Sequence, residues 1–175
     1  MRYSDINKFE NSSRHSCDVK WEDLEKHIST IIEDSSIEGD LSRDFLKENT
    51  WTKAESIAYV EYKLQGGLDA DRVSCNRSGR IGDQEVQYQI IDGLQRVTAV
   101  RDFLADEFPV FCLAYYSEIK GKMPKTCRFK WFIDNLPEKA DVLKWYIELN
   151  EGGRVHSALE IQQVRNLLED EQDRV

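Results

Sequence analysis

Between residues 92 and 96 the chain places an acid, a glycine, an amide and a guanidinium in one short run, Asp92-Gly93-Leu94-Gln95-Arg96, directly behind Ile90-Ile91. These residue types suit phosphate chemistry. If a strand ends at Asp92 and a helix opens after Gly93, the first helical N–H groups have no partner inside the helix. They also lie at the positive end of its dipole. A glycine lets an anion come close to the backbone. Arg96 can offer two parallel N–H donors to phosphate oxygens, and Gln95 can donate through its amide. Asp92 can hold a magnesium ion or orient a water. The same residues allow a plainer reading, in which Asp-Gly is a turn, Asp92 caps the helix and Arg96 pairs with Asp92 or with Glu107.

The flanking pattern supplies the elements such a site needs. Val86, Tyr88 and Ile90 alternate as in a strand, and Val97, Val100 and Leu104 recur at helical spacing. Upstream, Trp21, Leu24, Ile28 and Ile31 predict a helix over 19–34. Thr52 and Glu55 form a capping box for a helix over 53–65, with Ile57, Val60 and Leu64 on its apolar face and Gly66-Gly67 as its stop. Arg72 to Asn76 reads as a short strand and Arg77 to Gln84 as a hairpin loop. Pro109 to Tyr116 reads as a strand, and Phe129, Trp131 and Ile133 alternate in another. Pro137 fits the first turn of a helix carrying Val142, Tyr146 and Leu149, which Gly152-Gly153 ends. Ser157 and Glu160 form a second capping box, opening a last helix with Ala158, Ile161, Val164 and Leu168. Residues 1–17 carry no period and read as a loose amino-terminal arm. Strands and helices mix without strict βαβ alternation, which predicts one α+β domain over 1–175.

The net charge of −9 opposes wholesale binding to DNA or to an anionic membrane. Cys17, Cys75, Cys112 and Cys127 form no C-x-x-C pair, and His15, His27 and His156 do not fall at zinc-site spacing, so four reduced thiols are expected. No charged-then-apolar leader opens the sequence and no apolar run is long enough to span a bilayer, so a cytoplasmic protein without membrane contact is expected.

Ile91-Asp92-Gly93-Leu94-Gln95-Arg96-Val97-Thr98 resembles the D-G-Q-Q-R-L-T-T signature of the N-terminal domain of glucosyl-methylcytosine-dependent (GmrSD-type) type IV restriction endonucleases, also known as domain of unknown function 262. Asp44-Phe45-Leu46-Lys47 before Trp51-Thr52 resembles that family's F-Q-R segment and following W-T. Residues 58–67 resemble its next helix and glycine stop, and Leu149-Asn150-Glu151-Gly152-Gly153 resembles its N-x-G-G segment. Together the likenesses run from about residue 20 to 170. They imply a mixed sheet with flanking helices similar to ParB and sulfiredoxin, and a nucleoside triphosphate as ligand, with magnesium as cofactor. Asp92, Gln95 and Arg96 would be the catalytic group, Asp92 also the metal ligand, and Lys47, Gly93, Arg96 and Thr98 the nucleotide-binding set. In relatives this domain supports DNA cleavage by a separate nuclease, which would make a nuclease or other protein the partner. Two departures alter the phosphate chemistry. Leu94 replaces a polar residue of the motif, and Leu46-Lys47 replaces Q-R, turning a planar fork into a point charge. No H-N-H-like cluster is present, so self-sufficient double-strand cleavage is not expected.

Lys120, Lys122, Lys125, Arg128 and Lys130 stand without an acid among them, interleaved with or followed by Phe129, Trp131 and Phe132. Such a run can grip single-stranded nucleic acid, but the global charge favours a solvated loop leading into a core strand. Arg72, Arg77 and Arg80 flank the hairpin loop, where they either reach a substrate at the central turn or keep the loop soluble. Gly79-Arg80-Ile81-Gly82 lacks the following helix that a nucleic-acid clamp requires. His156 precedes a helix cap and reads as a loop histidine, with acid–base catalysis as the other reading. Trp51 and Trp145 read as core anchors, with base stacking as the other. The expected function is nucleotide binding, with hydrolysis of the triphosphate or of a phosphodiester, in a restriction or anti-phage context. The alternative is a non-enzymatic, phage-encoded interaction module whose acidic surface suits a basic partner.

Overall fold

The computed structural model describes residues 15–33, 51–78, 87–136, 138–151 and, within 162–169, residues 162, 164–166, 168 and 169. Its centre is a four-stranded sheet: β1 (His15–Lys20), β2 (Arg72–Ser78), β3 (Gln87–Asp92) and β4 (Arg128–Asp134), in the order β1-β4-β2-β3. β1 pairs antiparallel with β4, β2 antiparallel with β3, and the central β2–β4 pair is parallel. With flanking helices this is a mixed α+β fold, as the absence of βαβ alternation predicts.

Alternation in β4 decides the two faces. Phe129, Trp131 and Ile133 are buried, together with Val19 from β1 and Val73 and Cys75 from β2. Three helices cover that face: α1 (Leu24–Glu33), reached through a 3₁₀ turn at Trp21–Asp23, α2 (Lys53–Leu64) and α3 (Leu94–Leu104). Leu24, Val60, Val97, Val100 and Phe103 are their principal buried contributions. The second face is covered on the β3 side by α5 (Lys139–Glu151), where Ile91 joins Val142, Leu143 and Tyr146 in a separate apolar cluster.

α2 starts where its sequence says. The Thr52 side chain accepts from the Glu55 N–H, and the Glu55 carboxylate accepts from the Thr52 N–H at 2.7 Å. At the other end Lys63 is buried, but its ammonium donates to the Gly67 carbonyl at 2.8 Å and to that of Asp69 at 3.3 Å. A cation there also complements the negative end of the helix dipole.

Four readings from sequence are corrected. Arg77 and Ser78, expected in the hairpin loop, extend β2 and pair with Tyr88 and Gln87. The helix expected from residue 19 begins at Trp21, because Val19 and Lys20 belong to β1. For the same reason residues 15–17 of the expected loose arm are strand, held by pairing with Ile133, Phe132 and Trp131. Pro109 to Tyr116 is not a strand: Phe111 and Cys112 take left-handed φ of 50° and 60°, a single bridge joins Val110 to Ala114, and a short helix α4 (Tyr116–Ile119) follows. The glycines at 79, 82, 152 and 153, Pro137, Arg80, His156 and the Ser157–Glu160 box lie outside the described residues.

Candidate functional site

β3 hands the chain to α3 at Gly93, the N-cap residue, with φ of 101°. That conformation is left-handed and costs a side-chain-bearing residue dearly. A Cβ there would stand 3.1 Å from the Arg72 carbonyl oxygen and 3.2 Å from a Val73 methyl. Glycine is therefore required twice, by backbone angle and by the approach of β2. Asp92 does not cap the helix; no side chain does, and no acid occupies the first turn. The amino end of α3 keeps its positive character.

The register between β2 and β3 skips one residue here. Cys75 faces Ile90 and Ser74 faces Asp92, so Ile91 has no opposite number. An unbroken ladder would set Asp92 opposite Val73 and turn its carboxylate toward the core. The extra residue instead sets Asp92 on the second face with Ser74, while Ile91 packs under α5. Re-aiming a side chain is a recurrent use of a β-bulge.

Arg96 lies one turn into α3. Its Nη2 donates to Asp92 Oδ2 at 2.7 Å and to the Arg72 carbonyl at 2.9 Å. The side chains of Arg96 and Asp92 are 20% and 33% exposed, so the pair is half-buried rather than solvated. Arg96 Nε is buried with no acceptor among the described residues. The Gln95 side-chain oxygen accepts from the Trp51 N–H at 3.1 Å, tying α3 to the residue before the α2 cap. Trp51 in turn meets Tyr59 edge-on at 5.3 Å. Burial pushes the Tyr59 hydroxyl well above its ordinary range, with the Arg96 charge partly opposing, and the hydroxyl donates to the Ala70 carbonyl at 2.8 Å.

The structure thus brings Asp92, Gly93, Gln95 and Arg96 together at one junction. Thr98 is exposed on α3, one turn beyond Gln95, and Lys47 lies outside the described residues. Among the described residues no group of three or more His, Cys, Asp or Glu side chains could hold a metal ion, and no helix is long and apolar enough to cross a membrane. The anchoring groups Trp51 N–H and the Arg72 carbonyl went unread in the sequence, because they are backbone atoms 44 and 24 residues from the side chains they hold. The four cysteines are free thiols.

Comparison with protein-family models, curated proteins and solved structures finds no match.

Proposed function

We propose that the chain binds a nucleoside triphosphate at the amino end of α3. The observation that carries this reading is the register skip at Ile91, which turns Asp92 out of the core and sets it beside Arg96 at an uncapped helix terminus. The re-aimed carboxylate serves the ion pair with Arg96 through one oxygen, as the plainer reading of the sequence expects, and leaves the other for a ligand. The likeness of residues 91–98 to the D-G-Q-Q-R motif, and through it to a ParB- and sulfiredoxin-like fold, supports the same ligand.

In this reading the free N–H groups of the first turn and the Arg96 guanidinium receive phosphate oxygens. Arg96 Nη2 is already engaged and Nε is buried, so phosphate would take the Nη1 donors. Asp92 keeps Oδ1 without a hydrogen bond among the described residues. One such carboxylate is enough for magnesium that arrives with a triphosphate, since that ion retains waters and takes its other ligands from phosphate. Magnesium would neutralise phosphate charge beside Asp92, and Asp92 would orient the water if hydrolysis follows. Trp51, whose half-buried ring meets Tyr59 and whose N–H is tied to Gln95, would offer its indole to a base.

Calorimetry with a panel of nucleotides, with and without magnesium, tests this reading. Arg96→Ala removes a charge-assisted contact of roughly 1.5–3 kcal/mol, so affinity should fall at least about tenfold. Identical binding by wild type and variant, or no binding by either, overturns it.

A second reading, a non-enzymatic interaction module, has its own observation. Leu113 and Leu68 are 84% and 76% exposed, and Phe111, Tyr115 and Tyr62 are also exposed. Stoichiometric capture of a partner that Leu113→Asp abolishes, without nucleotide turnover, would favour it.

A further inference from the structure

On the second face of the sheet, α5 shields the β3 side, while Lys20, Asp18, Arg128, Lys130 and Arg72 are exposed. Strand pairing puts Lys20 opposite Arg128 and Asp18 opposite Lys130, and the parallel ladder sets Arg72 beside Lys130. Among the described strand residues, four cations therefore share one patch with a single carboxylate, Asp18. Adjacent strands lie about 4.8 Å apart, and like charges directly opposite destabilise a sheet. The chain carries 33 acids against 24 bases, so carboxylates to relieve this repulsion are plentiful. Yet none of Lys20, Arg128 or Lys130 is ion-paired among the described residues. Asp18 offsets Lys130 across the ladder, but the Lys20–Arg128 pair and Arg72 keep this face net positive in an acidic protein, which suits an anionic ligand.

Two features narrow the ligand. The Arg72 guanidinium lies 4.4 Å over the half-buried Phe132 ring, presenting a flat cationic plane on the same face. At the end of the patch an open cleft of about 320 Å³ lies between β1, β4 and the preceding loop. Met123 and Pro124 form its apolar wall, and Lys20, Lys125 and Arg128 its cationic rim; Asp18 and Glu22 also line it. Glu22 is engaged, accepting from the Gly121 N–H at 3.0 Å.

We propose that this face binds single-stranded nucleic acid, its phosphates running over Lys20, Arg128, Lys130 and Arg72. One base stacks on the Arg72 plane and another enters the cleft. Bases pack readily on guanidinium and aromatic planes, and a cationic groove that follows the backbone supplies the rest. A duplex, with one charge per ~1.7 Å, would demand a wider basic footprint than this strip, on a chain of net charge −9.

Fluorescence anisotropy with a labelled thymidine oligomer at low salt tests the proposal. A duplex of equal length is the second probe, and inorganic polyphosphate the competitor. The oligomer should bind more tightly than the duplex, and polyphosphate should displace it poorly. R128A/K130A removes two exposed side chains and should lower affinity at least about tenfold. It should also make the dependence of log K on log salt shallower by about 1.4, at roughly 0.7 per single-strand phosphate contact. No oligomer binding, an unaffected double variant, tighter duplex binding, or displacement by polyphosphate as effective as by unlabelled oligomer would each overturn it. R128A/K130A should leave mononucleotide binding unchanged, so this face and the α3 terminus stand or fall separately.

Discussion

The Gln95 side-chain Oε1 accepts from the Trp51 N–H at 3.1 Å, latching the amino end of α3 to the amino end of α2 across 44 residues of chain. The bond needs an acceptor at position 95 and nothing more. Gln95→Glu keeps the acceptor and should leave stability close to wild type, yet it adds negative charge where phosphate is proposed to sit and should weaken nucleotide binding. Gln95→Ala loses the latch and should cost about 0.5–1.5 kcal/mol. Urea denaturation beside nucleotide titration separates the two effects. A glutamate variant that binds nucleotide as well as wild type would count against the α3 site.

Gly93→Ala should be strongly destabilising. A left-handed backbone at a non-glycine residue costs about 1–3 kcal/mol, and here the new methyl also meets the Arg72 carbonyl at 3.1 Å. A drop in the urea midpoint of the corresponding size, with an unchanged m-value, is the expected result.

Stability should depend on pH through His27. Burial against Trp131, whose ring lies 4.9 Å away, lowers the His27 pKa below the ordinary 6.5. As pH falls through 6.5 the unfolded chain takes up a proton that the folded chain still refuses, so stability declines until the folded imidazole itself protonates. His27→Phe keeps an aromatic edge on Trp131 and should remove that part of the acid-induced fall in melting temperature. Glu55 acts in a separate, lower window: its bonds to Thr52 lower its pKa below 4.5, so the capping-box contribution is lost only as pH falls beneath that value.

Thiol reactivity should be graded. Burial raises Cys75 to about 12 and Cys127 to about 11. Cys17 is half-buried and raised as well, by burial and then by Asp18, whereas Cys112 is exposed. An aromatic disulfide reagent should titrate Cys112 first, Cys17 slowly, and Cys75 and Cys127 only on unfolding.

What the sequence revealed was local. The Thr52–Glu55 box marked the start of α2 because both bonds lie within four residues, and Asp92-Gly93 marked the strand-to-helix junction for the same reason. β1 escaped because only Val19 in it is buried and its partner strand is more than a hundred residues away. The Pro109–Tyr116 run misled because a short apolar stretch carries no period of its own; Leu113 in fact faces solvent and Phe111 bends the chain. At the site, motif residues were legible one by one. The register skip that orients Asp92, and the β2 carbonyl that holds Arg96, depend on strand pairing that no local pattern encodes. The basic sheet face shows the same division: alternation in β4 puts Arg128 and Lys130 outside, but Lys20 and Arg72 join them only through the ladders.

The order β1-β4-β2-β3 has a consequence for biosynthesis. Among the described strands only β2 and β3 pair as neighbours in the sequence; β1, made first, has to wait for β4, made last of the four. Until β4 leaves the ribosome, both β1 and one margin of β2 expose unbonded backbone to whatever is nearby. Emergence of residue 134, which completes β4, is the earliest moment at which a nascent chain can seal its sheet.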